Sequence, residues 1–249
     1  MAKPHIRMPE FQATEYAMPF LFDLIQFLER GMKRIGRIKA FCDGLSYGPG
    51  QGLIISDPEI RPDLHALCLD VGRVSRMLTN SGKAGTVYHK YSLERVRFFK
   101  HLFGALHLTQ LHSRAARNAF EHFEERIDKA SFEADAEAAK ANLFRPYGYG
   151  MVLTSLDVLR NIGIDPDHAL LIDVFVTEEK KFFYFDGVLD VNRLEAELYD
   201  MRRTLIGQIS EQRYMQLQNG GAMRAARDAA TGKARLNLRR TQPRIGSVP

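Results

Sequence analysis

SLERVRFFKHLFGALHLTQLHSRAARNAFEHFEERIDK, residues Ser92–Lys129, places Phe99, Leu102, Leu106, Thr109, Ser113, Ala116, Phe120, Phe123 and Ile127 at three- and four-residue steps. An α-helix gathers such positions on one face, so the spacing predicts a long amphipathic helix whose apolar stripe packs against other helices. Ser92 suits the N-cap, and Glu94 in the first turn suits the positive end of the helix dipole. Small and polar residues weaken the stripe near its middle, where one break is expected.

Working outward, Pro19 to about Phe41 reads as a helix with Phe20, Leu24, Phe27, Leu28 and Ile35 on one side. A second helix opens at Asp57-Pro58, carries Leu64, Leu67, Val71, Val74 and Leu78, and stops at Asn80-Ser81-Gly82. Between them Cys42–Ser56 holds four glycines and Pro49. It lacks a following GK[ST] and a convincing preceding strand, so it reads as a connection and not as a phosphate cradle. Beyond the long helix, Glu133–Asn142 reads as a short charged helix, Phe144–Gly150 as a turn and Met151–Ile162 as another helix.

The apolar runs Leu170–Thr177 and Lys181–Phe185, joined by Glu178-Glu179-Lys180, predict a β-hairpin. Asp190 then caps a last helix bearing Leu194, Leu198, Met201, Leu205 and Ile209. The expected fold is mainly α: a helical bundle of long antiparallel helices with a small late hairpin near residues 170–186. Its parts are a lead over 1–18, a helical domain over 19–218 and a tail over 219–249.

With 45% hydrophobic residues in a chain of 249, one core-forming domain is the simplest division. The net charge of +5 is unevenly spread. Seven basic residues between Asn219 and Pro249 face the single acid Asp228, so the tail carries +6 and the remainder −1. Such a tail, poor in apolar residues, is expected to stay unpacked and to hold polyanions weakly. The two cysteines, Cys42 and Cys68, have no CxxC spacing and read as buried thiols in a reducing compartment.

No apolar run reaches the roughly 18 residues needed to span a bilayer, and no cleavable leader is evident, so a cytoplasmic protein is expected. No metal or cofactor is expected. HExxH and paired ExxH motifs are absent, and His101 and His112 would stand about 16 Å apart along a helix.

On a wheel centred on Phe120, Ala116, Phe123 and Ile127 fall on the apolar side and Asn118 and His122 lie almost opposite, with Arg117 on the flank. An imidazole of pKa near 6.5 removes protons at neutral pH, a guanidinium holds two phosphate oxygens, and an asparagine orients an oxyanion or the imidazole. These roles suffice to cleave RNA without a metal, the base activating the ribose 2′-hydroxyl against the adjacent phosphorus. Five residues apart on an unbroken helix, Arg117 and His122 diverge by about 140°. A bend, a reaching guanidinium or a second subunit must bring them together.

Arg117-Asn118-Ala119-Phe120-Glu121-His122 resembles the R-x4-H motif, in its RNxxxH form, of HEPN-domain proteins. The resemblance implies a helical bundle, a metal-independent endoribonuclease and a homodimer whose two motifs share one cleft. It makes Arg117 and His122 catalytic and Asn118 their polar neighbour. It also suggests a toxin or antiviral effector held in check by an antitoxin. Arg114 and Arg126 beside the motif, with Arg235, Arg239 and Arg240 in the tail, are then the expected RNA contacts. The competing expectation is a non-catalytic interaction or nucleic-acid-binding protein that self-associates through the stripes of Ser92–Lys129 and Val191–Gln218 and tethers nucleic acid by its tail.

Overall fold

The computed structural model describes residues 18–45, 52–55, 59–79, 84, 87–112, 124–129, 131–132, 147–167, 169–185 and 187–219. Helix α1 spans Met18–Gly44, α2 Arg61–Leu78 and α3 Val87–Phe103. A short α4 spans Asp157–Asn161, and α5, Val191–Ile209, is followed by α6, Glu211–Gln218. Five strands, β1 Leu53–Ile55, β2 Tyr147–Leu153, β3 Leu170–Val176, β4 Lys181–Tyr184 and β5 Gly187–Asp190, form one sheet in sequence order. Only the β2–β3 pair is parallel.

Helix dominates, as the stripes require. Leu24 and Leu28 of α1, Leu64, Leu67, Val71 and Val74 of α2, and Leu194, Leu198, Met201 and Leu205 of α5 are all buried. The core they form also takes in Val152, Phe175, Phe182, Tyr184 and Leu189 from the sheet. The helices therefore sit on one face of the sheet. A smaller cluster of Leu153, Val158, Leu159, Leu171, Val174 and Val176 covers the other face under α4. Both faces being apolar explains the unbroken run of β3, which alternation would otherwise interrupt.

The predicted hairpin is present, with turn residues 177–180 and Asp190 accepting a hydrogen bond from the Arg193 amide at 2.9 Å as the α5 cap. It is one part of a larger sheet. The helix expected over Met151–Ile162 is a strand end and a short helix, and the turn expected over Phe144–Gly150 is strand from Tyr147 onward. Two glycines in YGYGMVL imitate a turn. Pairing with β1 and β3, which lie far away in sequence, makes the segment a strand.

The helix expected over Ser92–Lys129 starts earlier, at Val87, so that Ser92 lies inside it and is no cap, and the expected break falls after Phe103. α3 ends at Phe103, and the chain leaves it through a position that only glycine fits, since a Cβ on Gly104 would lie 2.4 Å from the Lys100 carbonyl oxygen. After this break the buried positions shift to Leu108 and Leu111. The turn there is held by the buried Glu197 carboxylate, which accepts from the Thr109 hydroxyl at 3.0 Å and from the Gln110 and Leu111 amides at 2.9 and 3.0 Å. Helix returns over 124–129. The last predicted helix also divides, at Ser210, whose φ is 68°. No helix among the described residues is long and apolar enough to cross a membrane.

Candidate acid–base site

The sequence-predicted residues Arg114, Arg117, Asn118 and His122 lie outside the described residues, as do Arg235, Arg239 and Arg240 of the tail. Arg126 is described: it belongs to the helical segment 124–129, and its guanidinium carbon lies 5.1 Å from the Phe185 ring centre.

A different arginine–histidine pair comes together at the start of α2. Arg61 is the first residue of this helix, Pro62 follows it in the first turn, and His65 stands one turn further on. Four residues apart, their side chains differ by about 40° and share a face. Both reach Asp173 of β3. Arg61 Nη2 donates to Asp173 Oδ2, and His65 Nε2 lies 2.9 Å from Oδ1. The Asp173 side chain is 1% exposed. A buried carboxylate is costly unless paired, and here the two partners from α2 satisfy both oxygens.

The sheet is shaped to allow this. Asp173 has φ 58° and sits where the β3–β4 register shifts between Ile172 and Val174, so it is the extra residue of a bulge. In the β2–β3 register, Tyr149 faces Ile172 and Met151 faces Val174, which sets Gly150 beside Asp173. Gly150 also has positive φ, 66°. The two neighbouring strands therefore kink at the same level. A Cβ at Gly150 would lie 3.2 Å from both terminal nitrogens of Arg61. Glycine makes room for the guanidinium, while aspartate is among the few residues that tolerate its own left-handed conformation.

Around the cluster, the exposed Tyr149 ring lies 5.8 Å from the Arg61 guanidinium carbon, and the His65 ring lies 6.0 Å from buried Phe182. Burial, helped by the positive charge of Arg61, pushes the His65 pKa below its ordinary 6.5, so the imidazole is neutral at pH 7. A carboxylate only accepts, so a neutral imidazole bonded to Asp173 carries its proton on Nε2 and its lone pair on Nδ1. Arg61 Nε is buried and has no hydrogen-bond acceptor among the described residues. The cluster thus holds an imidazole and a cation on one buried carboxylate.

Sequence reading passed over all three residues. The available signals were the four-residue spacing of Arg61 and His65 at a helix start and the lone acid inside the apolar run LLIDVFV. Among the described residues no group of three or more His, Cys, Asp or Glu side chains is placed to hold a metal ion. Cys68 is fully buried and its thiol is pushed up by that burial; Cys42 is pushed up to about 11 for the same reason. Neither is a reactive thiolate.

The fold and cluster define a mainly helical protein with one mixed sheet and a neutral imidazole held on a buried carboxylate. No family model, curated protein or solved structure matches the chain.

Proposed function

We propose that the chain is a metal-independent endoribonuclease whose base is His65 and whose cation is Arg61. The single observation that carries this reading is the shared hold of His65 and Arg61 on buried Asp173, which fixes the tautomer and direction of a neutral imidazole. His65 Nδ1 takes the proton of a ribose 2′-hydroxyl, the 2′-oxygen bonds to phosphorus, and the bond from phosphorus to the 5′-oxygen breaks. The 5′-oxygen leaves with a proton returned by the imidazolium. The products are a 2′,3′-cyclic phosphate and a 5′-hydroxyl. Arg61, whose side chain is 21% exposed, steadies charge on the phosphoryl oxygens by its positive charge.

A second reading places the same chemistry at Arg117 and His122, with Asn118 beside them, as the HEPN resemblance implies. On an unbroken helix that pair would diverge, so this reading calls for a bend or a second copy, together with the homodimer, the antitoxin and the defence role that accompany the family. Arg61 and His65 need neither. Purified full-length protein is incubated with single-stranded RNA in EDTA, alongside His65→Ala, Arg61→Lys and His122→Ala. Cleavage lost in His65→Ala and kept in His122→Ala supports the first reading. The opposite pattern supports the second, and no cleavage by the parent protein overturns both.

A further inference from the structure

The N-terminal half of α1, the C-terminal turns of α2 and the middle of α3 line an open groove of about 550 Å³ that the acid–base cluster does not use. Its walls carry the arginines Arg30, Arg73, Arg76 and Arg95, and Asp23 is the one carboxylate among the lining residues. Like charges repel, so four guanidiniums around one groove need an explanation in their surroundings.

Arg95 is accounted for by the fold. It donates to the carbonyls of Arg76, Met77 and Thr79, each at 3.2 Å, and so satisfies the C-terminal end of α2. Its guanidinium carbon lies 5.1 Å from the Phe20 ring centre.

Arg30 and Arg73 are different. They come from separate helices to the same Phe27 ring, at 5.0 and 5.8 Å. Among the described residues, the carboxylate contact of Arg73 is Asp70, at 3.8 Å. Asp70 in turn is bonded more closely to Arg34. The Arg73 side chain is 61% exposed, and Arg30 is exposed as well. An arginine stacked on a ring keeps its N–H edges for an anion, and its side chain is already ordered before the anion arrives. Two such cations on one buried phenyl, with one carboxylate lining the groove, form a pre-built receptor for negative charge.

We infer that this groove binds the phosphodiester backbone of single-stranded nucleic acid, with Arg30 and Arg73 contacting phosphates. The excess of cations selects a polyanion, and the regular spacing of a phosphodiester backbone suits two cations held side by side on one ring. This deepens the proposed RNA cleavage by naming where the strand is held, but the binding itself does not require cleavage.

The test titrates full-length protein into a labelled oligodeoxyuridylate, which lacks the 2′-hydroxyl and so reports binding alone, over a series of salt concentrations. Arg30→Ala/Arg73→Ala is expected to weaken binding about tenfold and to lower the slope of log affinity against log salt by about 1.4, two phosphate contacts at about 0.7 each. Arg97→Ala/Arg203→Ala, which removes two exposed arginines elsewhere, is expected to change neither quantity. Arg30→Gln and Arg73→Gln, which keep a polar chain over Phe27, guard against a loss of fold, and each is expected to lower the slope by about 0.7. An unchanged affinity and slope in the double variant overturns the inference. So does competition by polyglutamate as strong as that by unlabelled oligonucleotide. Tight groove-dependent binding by a protein that leaves RNA intact overturns the cleavage reading and sustains this one.

Discussion

Replacing Gly150 by alanine tests the geometry of the cluster without touching any of its polar groups. Two costs are separable. At φ 66° an L-residue costs about 1–2 kcal/mol, offset in part by the lower entropy of the unfolded alanine variant. The new Cβ also meets both terminal nitrogens of Arg61 at 3.2 Å, so the guanidinium must move by a few tenths of an ångström. One of those nitrogens, Nη2, is the donor to Asp173, so the shift is expected to stretch that bond. A whole hydrogen bond to a charged group contributes about 1.5–3 kcal/mol, which bounds the effect from above. Gly163→Ala supplies the control, because Gly163 has φ 80° and a Cβ added there would meet nothing within 4 Å. Urea unfolding is therefore expected to show Gly150→Ala losing more than Gly163→Ala, by up to about 3 kcal/mol. The excess should vanish when both changes are repeated in an Arg61→Ala/Asp173→Asn background, which removes the guanidinium without stranding a charge. Equal losses for the two glycine variants, or an excess that persists in that background, would mean that Gly150 does not act through Arg61.

The pH dependence of stability should carry the signature of His65. Its folded pKa lies below the unfolded value near 6.5, so the unfolded chain binds the extra proton first, and stability falls as pH drops through about 6.5 toward the folded pKa. In His65→Gln, whose amide still donates to Asp173, that part of the decline should disappear from urea-unfolding free energies measured between pH 7 and the acid limb, roughly as expected for one proton. For the turn after α3, Glu197→Ala strands three donors and is expected to cost about 2–4 kcal/mol. Hydrogen exchange should accelerate at the Gln110 and Leu111 amides, and unchanged protection there would remove Glu197 as the anchor.

Much of the helical layer was legible in the sequence because its signal is local. Leu64, Leu67, Val71 and Val74 recur with the helical period, and all four are buried on α2. The Asp190 cap was equally readable, since it depends on residues three apart. β2 was not, because Gly148 and Gly150 give it the look of a turn while its pairing depends on strands elsewhere in the chain. The weakened stripe signals a break within Ser92–Lys129, but its place at Gly104 does not follow from the apolar ladder that runs past it.

The candidate site divides in the same way. Arg61 and His65 share a helix face by simple spacing, but their common partner Asp173 lies 112 and 108 residues away. Only the sheet bulge brings it there. A polar residue in the middle of a buried strand is the legible half of such a site. The partner that makes it tolerable is fixed by topology and does not follow from local pattern.

The proposed chemistry turns on His65 being a neutral base fixed by Asp173, and a nitrogen-detected NMR titration of its imidazole in the full-length protein reads both properties at once. An Nε2–H tautomer at pH 7 and a pKa below 6.5 are expected, with the tautomer preference lost in Asp173→Asn. An Nδ1–H tautomer, or a pKa above 6.5, would contradict that assignment.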